Sequence, residues 1–176
     1  MTTKALYQRL YDDPTLSYGV ACANRCPGVR LFEHYRRWLH GRIIDLGCGT
    51  GDTVEALRKA GFDVDGIDQI ILDNGMLTGD ITTKITLTQY NTAICIDVFE
   101  HILDEPLARL MENMAQVKYQ IISIHNAATF ENLNEDLHVN KKQFSEWIAI
   151  LSQRFDVMED IAIHENQHLY LCERKS

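Results

Sequence analysis

Residues 43–52, Ile-Ile-Asp-Leu-Gly-Cys-Gly-Thr-Gly-Asp, constrain this chain more than any other segment. Ile43, Ile44 and Leu46 read as a short buried strand. Gly47, Gly49 and Gly51 follow at alternate positions, and a helix over 53–60, closed by Gly61, comes next. Such a turn lets a ligand lie against the backbone, because no Cβ stands in its way. The spacing is Gly-x-Gly-x-Gly. Asp52 occupies the place of the third glycine of a dinucleotide loop, and the Lys-Ser/Thr of a P-loop is missing. An acidic residue at a helix start repels a pyrophosphate, which seeks free N–H groups and positive potential there. The loop therefore suits a ligand whose contacting part is not a phosphate.

Around this turn the pattern alternates. Strands are expected at 42–46, 62–68, 91–97 and 119–125, with a weaker one near 79–81. Helices are expected at 53–60, about 106–116 and 141–152, the last with Phe144, Trp147, Ile148 and Leu151 on one face. Residues 155–163 and 167–174 close the chain as a pair of strands with no helix between them, hence an antiparallel hairpin. Alternation of this kind predicts an α/β fold: a Rossmann-like, doubly wound sheet of about seven strands, mostly parallel with an antiparallel last strand, and helices on both faces. A helix is also expected over 29–40, where Leu31, Phe32, Tyr35, Trp38 and Leu39 recur at helical spacing. The 176 residues show no repeat and no linker, so one domain over 1–176 is expected. Residues 1–40 would form its helical entry segment and 41–176 its core.

Charge narrows the partners. Seventeen Lys and Arg against 25 Asp and Glu give a net charge of −8. Nucleic acid is possible but not favoured by that balance. No apolar run approaches the about 20 residues of a membrane span, and residues 1–9 carry no apolar signal core. The five cysteines (22, 26, 48, 95 and 172) show no paired spacing. Free thiols in a reducing, cytoplasmic setting are the expectation.

The run Asp45-Leu46-Gly47-Cys48-Gly49-Thr50-Gly51 resembles the first motif of the class I S-adenosylmethionine-dependent methyltransferases, an E/D-x-G-x-G-x-G loop, and matches it completely. The resemblance implies S-adenosyl-L-methionine as cofactor, with Asp45 near its methionine amino group and Gly47, Cys48, Gly49 and Gly51 forming the cradle. It implies that Asp68, ending the second strand, accepts the two ribose hydroxyls, and that Gln69 flanks the adenine. Asp80 and Ile81 resemble the third motif, which meets the adenine ring. The stretch 93–102, Ala-Ile-Cys-Ile-Asp-Val-Phe-Glu-His-Ile, resembles a D-V-x-E-H-I/L strand-to-helix stretch found in one large subgroup of the family. Asp97 and Val98 would there border the methionyl group. In many relatives a segment before the sheet folds over the cofactor, and Tyr18 and Arg30 are the candidate contacts.

Methyl transfer from a sulfonium needs position and desolvation, and needs a base only when the acceptor is a weak acid. Glu100, His101 and His138 are the candidate catalytic residues. His125 ends the fifth strand nearby. With Asp97 these residues could instead hold a divalent metal, as a comparable Glu-x-x-Glu-His run does in small-RNA 2′-O-methyltransferases. Structural roles for Glu100 and His101 also remain open, and no metal is assigned. Cys22 and Cys26 lack the second pair that a zinc site needs. The expected function is methyl transfer to an oxygen or nitrogen of a small soluble acceptor. The alternatives are an RNA or nucleotide methyltransferase, with or without a metal, and a non-catalytic module that binds the cofactor. Oligomeric state is not legible.

Overall fold

The computed structural model describes residues 3–12, 26–70, 75–127 and 137–176. Helix α1 spans Thr3–Asp12; short helices α2 (Pro27–Arg30) and α3 (Phe32–Tyr35) and a 3-10 turn (Arg36–Trp38) follow. The core then runs β1 (Ile43–Leu46), α4 (Asp52–Lys59), β2 (Val64–Asp68), β3 (Leu77–Thr78) and β4 (Thr92–Ile96). A 3-10 turn (Phe99–His101), α5 (Asp104–Met114), β5 (Tyr119–His125), α6 (Phe144–Leu151), β6 (Phe155–His164) and β7 (Gln167–Arg174) complete it.

The seven strands lie in the order β3-β2-β1-β4-β5-β7-β6. All pairs from β3 to β5 are parallel, and β7 runs antiparallel to both β5 and β6. Strand alternation sorts the core into two layers. Ile43, Ile94, Ile121 and Leu171 face Leu31, Tyr35, Val54 and Leu57. Their neighbours Ile44, Ala93, Ile122 and Cys172 face Leu107, Leu110, Met114 and Trp147 from α5 and α6. The sheet is thus covered on both sides, as a parallel sheet must be. After β1 the chain winds outward through β2 and β3, then returns to place β4 on the other side of β1. The reversal opens a crevice beyond the carboxyl ends of β1 and β4, where ligands bind in such sheets.

Several boundaries differ from expectation. The third strand is two residues long and ends before Gly79, whose N–H bonds to Asp68 O at 2.9 Å as the chain leaves the sheet edge. The helix expected over 29–40 is broken into α2, α3 and the 3-10 turn; the buried Tyr35 hydroxyl donates back to Gly28 O at 2.7 Å. Helix α5 starts and stops two residues early. Gln116 therefore lies outside it, and its amide takes the Leu87 N–H and donates to Ile85 O. Helix α6 begins at Phe144 because Gln143 and Glu146 form a capping box. Among the described residues no helix is long and apolar enough to cross a membrane.

Candidate active site

One cavity of about 870 Å³ occupies the crevice, within the roughly 300–1,000 Å³ of small-molecule sites. Its floor is the turn after β1. Gly47 and Gly49 hold φ of +81° and +52°, a region that costs other residues roughly 1–2 kcal/mol. A Cβ on Gly47 would stand 2.7 Å from Val98 Cγ2, and one on Gly49 would stand 2.5 Å from the Tyr11 hydroxyl. Only glycine leaves this cradle open. Gly51 is buried behind it as the N-cap of α4 and does not line the cavity.

Carboxylates surround the cradle. Asp68, at the end of β2, accepts from Gly49 N and Ile70 N, both at 2.9 Å, and so fixes the glycine turn to the second strand. Asp45, at 4% exposure, is pushed up to about 7 by burial and by the Asp68 charge. A buried acid beside an open cradle is what a cationic ligand group would neutralise. Cys48 lines the wall, and burial drives its thiol above the ordinary range, which leaves it a poor nucleophile. Gln69 and Ile70 form the next stretch of wall. Asp80 and Ile81 reach it from beyond β3: Asp80 closes its own turn on Thr82 N at 2.8 Å and stays exposed, while Ile81 is buried.

At the end of β4, Asp97 holds φ +53°, an uncommon state for a non-glycine residue. Its carboxylate explains how it persists. Ser123 Oγ donates to it at 2.6 Å, and Gln167 Nε2 reaches both of its oxygens at 3.0 Å. Val98 then turns its side chain against Gly47.

The far end of the cavity holds the histidines. His101, from the 3-10 turn, and His138 lie 4.6 Å apart ring to ring, and His125 lies 5.7 Å from His138. His101 Nδ1 is 2.9 Å from Leu137 O and 2.7 Å from the Tyr7 hydroxyl. A carbonyl only accepts, so Nδ1 carries the hydrogen and Nε2 is the basic nitrogen of the ring. Burial holds His125 below the ordinary histidine range, with His164 and Arg30 adding to the effect and Asp97 opposing it. Glu100 is fully buried and is not part of the cavity wall. Its Oε1 takes the His125 N–H at 2.9 Å, and its Oε2 has no hydrogen-bond partner among the described residues. Burial, then the Asp97 charge, holds this acid well above the carboxylate range. One ligand atom from each of Glu100, His101 and His138 falls within 4.8 Å of the others.

The crevice thus brings together Asp45, Gly47, Cys48, Gly49, Asp68, Gln69, Asp80, Ile81, Asp97, Val98, His101 and His138. Gly51 and Glu100 stand behind its wall. Tyr18 and Cys22 lie outside the described residues. Sequence reasoning missed Tyr7 and Tyr11 on α1, which carry no motif, and the Ser123–Gln167 clamp, whose members lie 26 and 70 residues from Asp97.

Residues 26–158 match the family model described as a methyltransferase domain. The chain belongs to that family, the class I S-adenosylmethionine-dependent methyltransferases. Its fold is similar to that of the PH0226 protein from Pyrococcus horikoshii OT3, at TM-score 0.73 and 14% identity over 97% of this chain and 99% of that one. It is also similar to a 1,6-didemethyltoxoflavin-N1-methyltransferase from Burkholderia thailandensis, at TM-score 0.76 and 10% identity over 98% and 87%. A third likeness is to the magnesium protoporphyrin IX methyltransferase from Synechocystis PCC 6803 with bound S-adenosylmethionine, at TM-score 0.68 and 16% identity over 99% and 98%. The sequence itself has no match among curated proteins.

Proposed function

We propose that this protein transfers a methyl group from S-adenosylmethionine to an oxygen or nitrogen of a small soluble acceptor. The observation that carries the reading is the continuity of the cavity: the glycine cradle opens directly into the histidine chamber, so cofactor and acceptor would share one crevice. The open cradle and its acids suit this cofactor. Asp45 would take the methionyl ammonium, Gly47 and Gly49 the chain beside it, and Asp68 the ribose hydroxyls. Gln69, Asp80 and Ile81 would border the adenine. When bound, the cofactor supplies an activated methyl on a sulfonium whose sulfur keeps the bonding pair.

The protein's own work is placement and proton handling. Leu137 O, by fixing the hydrogen on His101 Nδ1, presents Nε2 to take the acceptor's proton. His138 packs against that ring and holds its plane. Glu100 sets the end of β5 through the His125 N–H. The strained backbone of Asp97 carries Val98 over the cradle. The test is transfer of labelled methyl into a small-molecule extract. His101→Asn should lower transfer at least about a hundredfold, the low end for a positioned base, while S-adenosylhomocysteine binding stays. Binding without transfer to any pool would make the chain a cofactor-binding module instead.

One observation favours a second reading, a metal-assisted enzyme acting on a nucleotide. The unpartnered Glu100 Oε2, with His101 and His138, forms a candidate divalent-metal site. Transfer that disappears with chelator, returns with Mg²⁺ or Mn²⁺, and is lost in Glu100→Gln would support it. Transfer indifferent to chelator excludes it.

A further inference from the structure

The acceptor end of the cavity has a chemistry of its own. Among the described residues of the wall there is no Lys and no Arg. Asp45, Asp68 and Asp80 line the cofactor end of this space, and Asp97, whose charge acts on His125, lines the acceptor end. A phosphate or carboxylate entering here would meet the Asp97 carboxylate and no Lys or Arg on the described wall; Arg30, whose charge acts on His125, stands outside that wall.

The mouth is apolar. Four large hydrophobic side chains are exposed among the described residues: Leu77, Leu103, Val139 and Met158. Two of them, Leu103 at 61% and Val139 at 52%, stand on the wall of this cavity, beside Ile102 and Pro106. Exposed apolar side chains scattered singly need no explanation, but a pair flanking a pocket marks where a ligand covers them. Behind them sits His101, with Nε2 as its basic nitrogen.

Building on the methyl-transfer reading above, we propose that the acceptor is an uncharged, largely apolar ring compound bearing one hydroxyl or ring N–H. Its ring lies against Leu103 and Val139, and its protic group meets His101. Three features then act together. The apolar mouth removes the ring from water, the described wall offers an anion no Lys or Arg, and His101 selects the atom to be methylated.

Calorimetric titration of the full chain, saturated with S-adenosylhomocysteine, tests this with three probes: 2-naphthol, 2-naphthyl phosphate and uridine 5′-monophosphate. The first two share a ring and differ in charge. Naphthol should bind at least tenfold more tightly than its phosphate, and the nucleotide should bind most weakly. In the double variant Leu103→Asp and Val139→Asp, both surface positions, naphthol affinity should fall at least tenfold with no change in S-adenosylhomocysteine affinity. The proposal is overturned if the phosphate or the nucleotide binds as well as naphthol, if naphthol does not bind, or if the double variant leaves its affinity unchanged. The prior saturation step separates the two claims. Failure of S-adenosylhomocysteine to bind defeats the cofactor reading, whereas normal binding of it with exclusion of naphthol defeats only the acceptor.

Discussion

Asp45 is the residue whose chemistry is most open to test. Burial and the neighbouring Asp68 raise it to about 7, and Tyr35, Cys48 and Cys95, which feel its charge, are themselves held neutral by burial. The sign follows from linkage. The empty protein holds its proton more tightly than the unfolded chain does, so this group's contribution makes stability fall as pH rises from about 4 to 7. Asp45→Asn should therefore raise the Tm of the free protein at pH 8. A cofactor ammonium requires the carboxylate form, so affinity should increase toward pH 7, approaching tenfold per unit well below it, and level off there. Calorimetry from pH 5.5 to 7 in wild type and Asp45→Asn checks this. The variant should bind weakly, with no such slope. Gln167 offers a second test. Its removal leaves the Asp97 carboxylate short of two hydrogen bonds, a loss of roughly 1–3 kcal/mol. Gln167→Ala should lower Tm by about 2–12 °C at the roughly 2–4 °C per kcal/mol of a domain this size, and should weaken S-adenosylhomocysteine through the shifted Val98. Asp45, Asp68 and Asp97 were legible because each sits at a strand end within a short motif. Gln167 was not, because a clamp formed across 70 residues leaves no local signal.

Among the elements, the glycine turn and α1 behave differently. The turn is rigid by construction. Gly47→Ala places a Cβ against Val98 at φ +81°, so it should cost at least about 1–2 kcal/mol and abolish tight cofactor binding, read by melting and titration together. Helix α1 rests on a small cluster of its own, Tyr7 and Leu10 with Ile70 and Leu137, apart from the two layers of the sheet. Elements with few buried contacts open first. Its amides should exchange much faster than those of β1 and β4 in the free protein, and slow when S-adenosylhomocysteine fills the cavity that Tyr7 and Tyr11 line. Unchanged exchange on saturation would contradict a role for α1 in covering the site. The strands β1, β4 and β5 were readable from near-continuous apolar runs, which a sheet buried on both faces produces, and β2 from Phe62, Val64 and Ile67 between acids. The third strand was displaced because two exposed residues, Leu77 and Thr78, carry no periodicity. The broken helix over 27–38 was hidden for the opposite reason, since its apolar spacing is helical while its backbone turns twice.

For the whole molecule, doubly wound order with β7 inserted antiparallel between β5 and β6 puts the crevice at the reversal between β1 and β4. Everything the reading requires meets at that edge: the cradle, the acids and the histidine chamber. The topology was legible from strand and helix alternation. Of the acceptor end, His101, His125 and His138 were legible from their places after the strands, whereas Tyr7, Leu103 and Val139 were not, because they come from α1 and two separate loops that only the fold unites. The central claim is that this crevice is a sulfur-nucleoside site. Calorimetric titration with S-adenosylmethionine, S-adenosylhomocysteine and NAD, on wild type and Asp68→Ala, tests it most directly. Both sulfur nucleosides should bind, NAD should not, and the variant should lose about ten- to a hundredfold in affinity, the range of a charge-assisted hydrogen bond. Absence of binding by either sulfur nucleoside, where a hundredfold excess over the dissociation constant should add about 2.7 kcal/mol of stability, would contradict it, as would NAD binding that depends on Asp68.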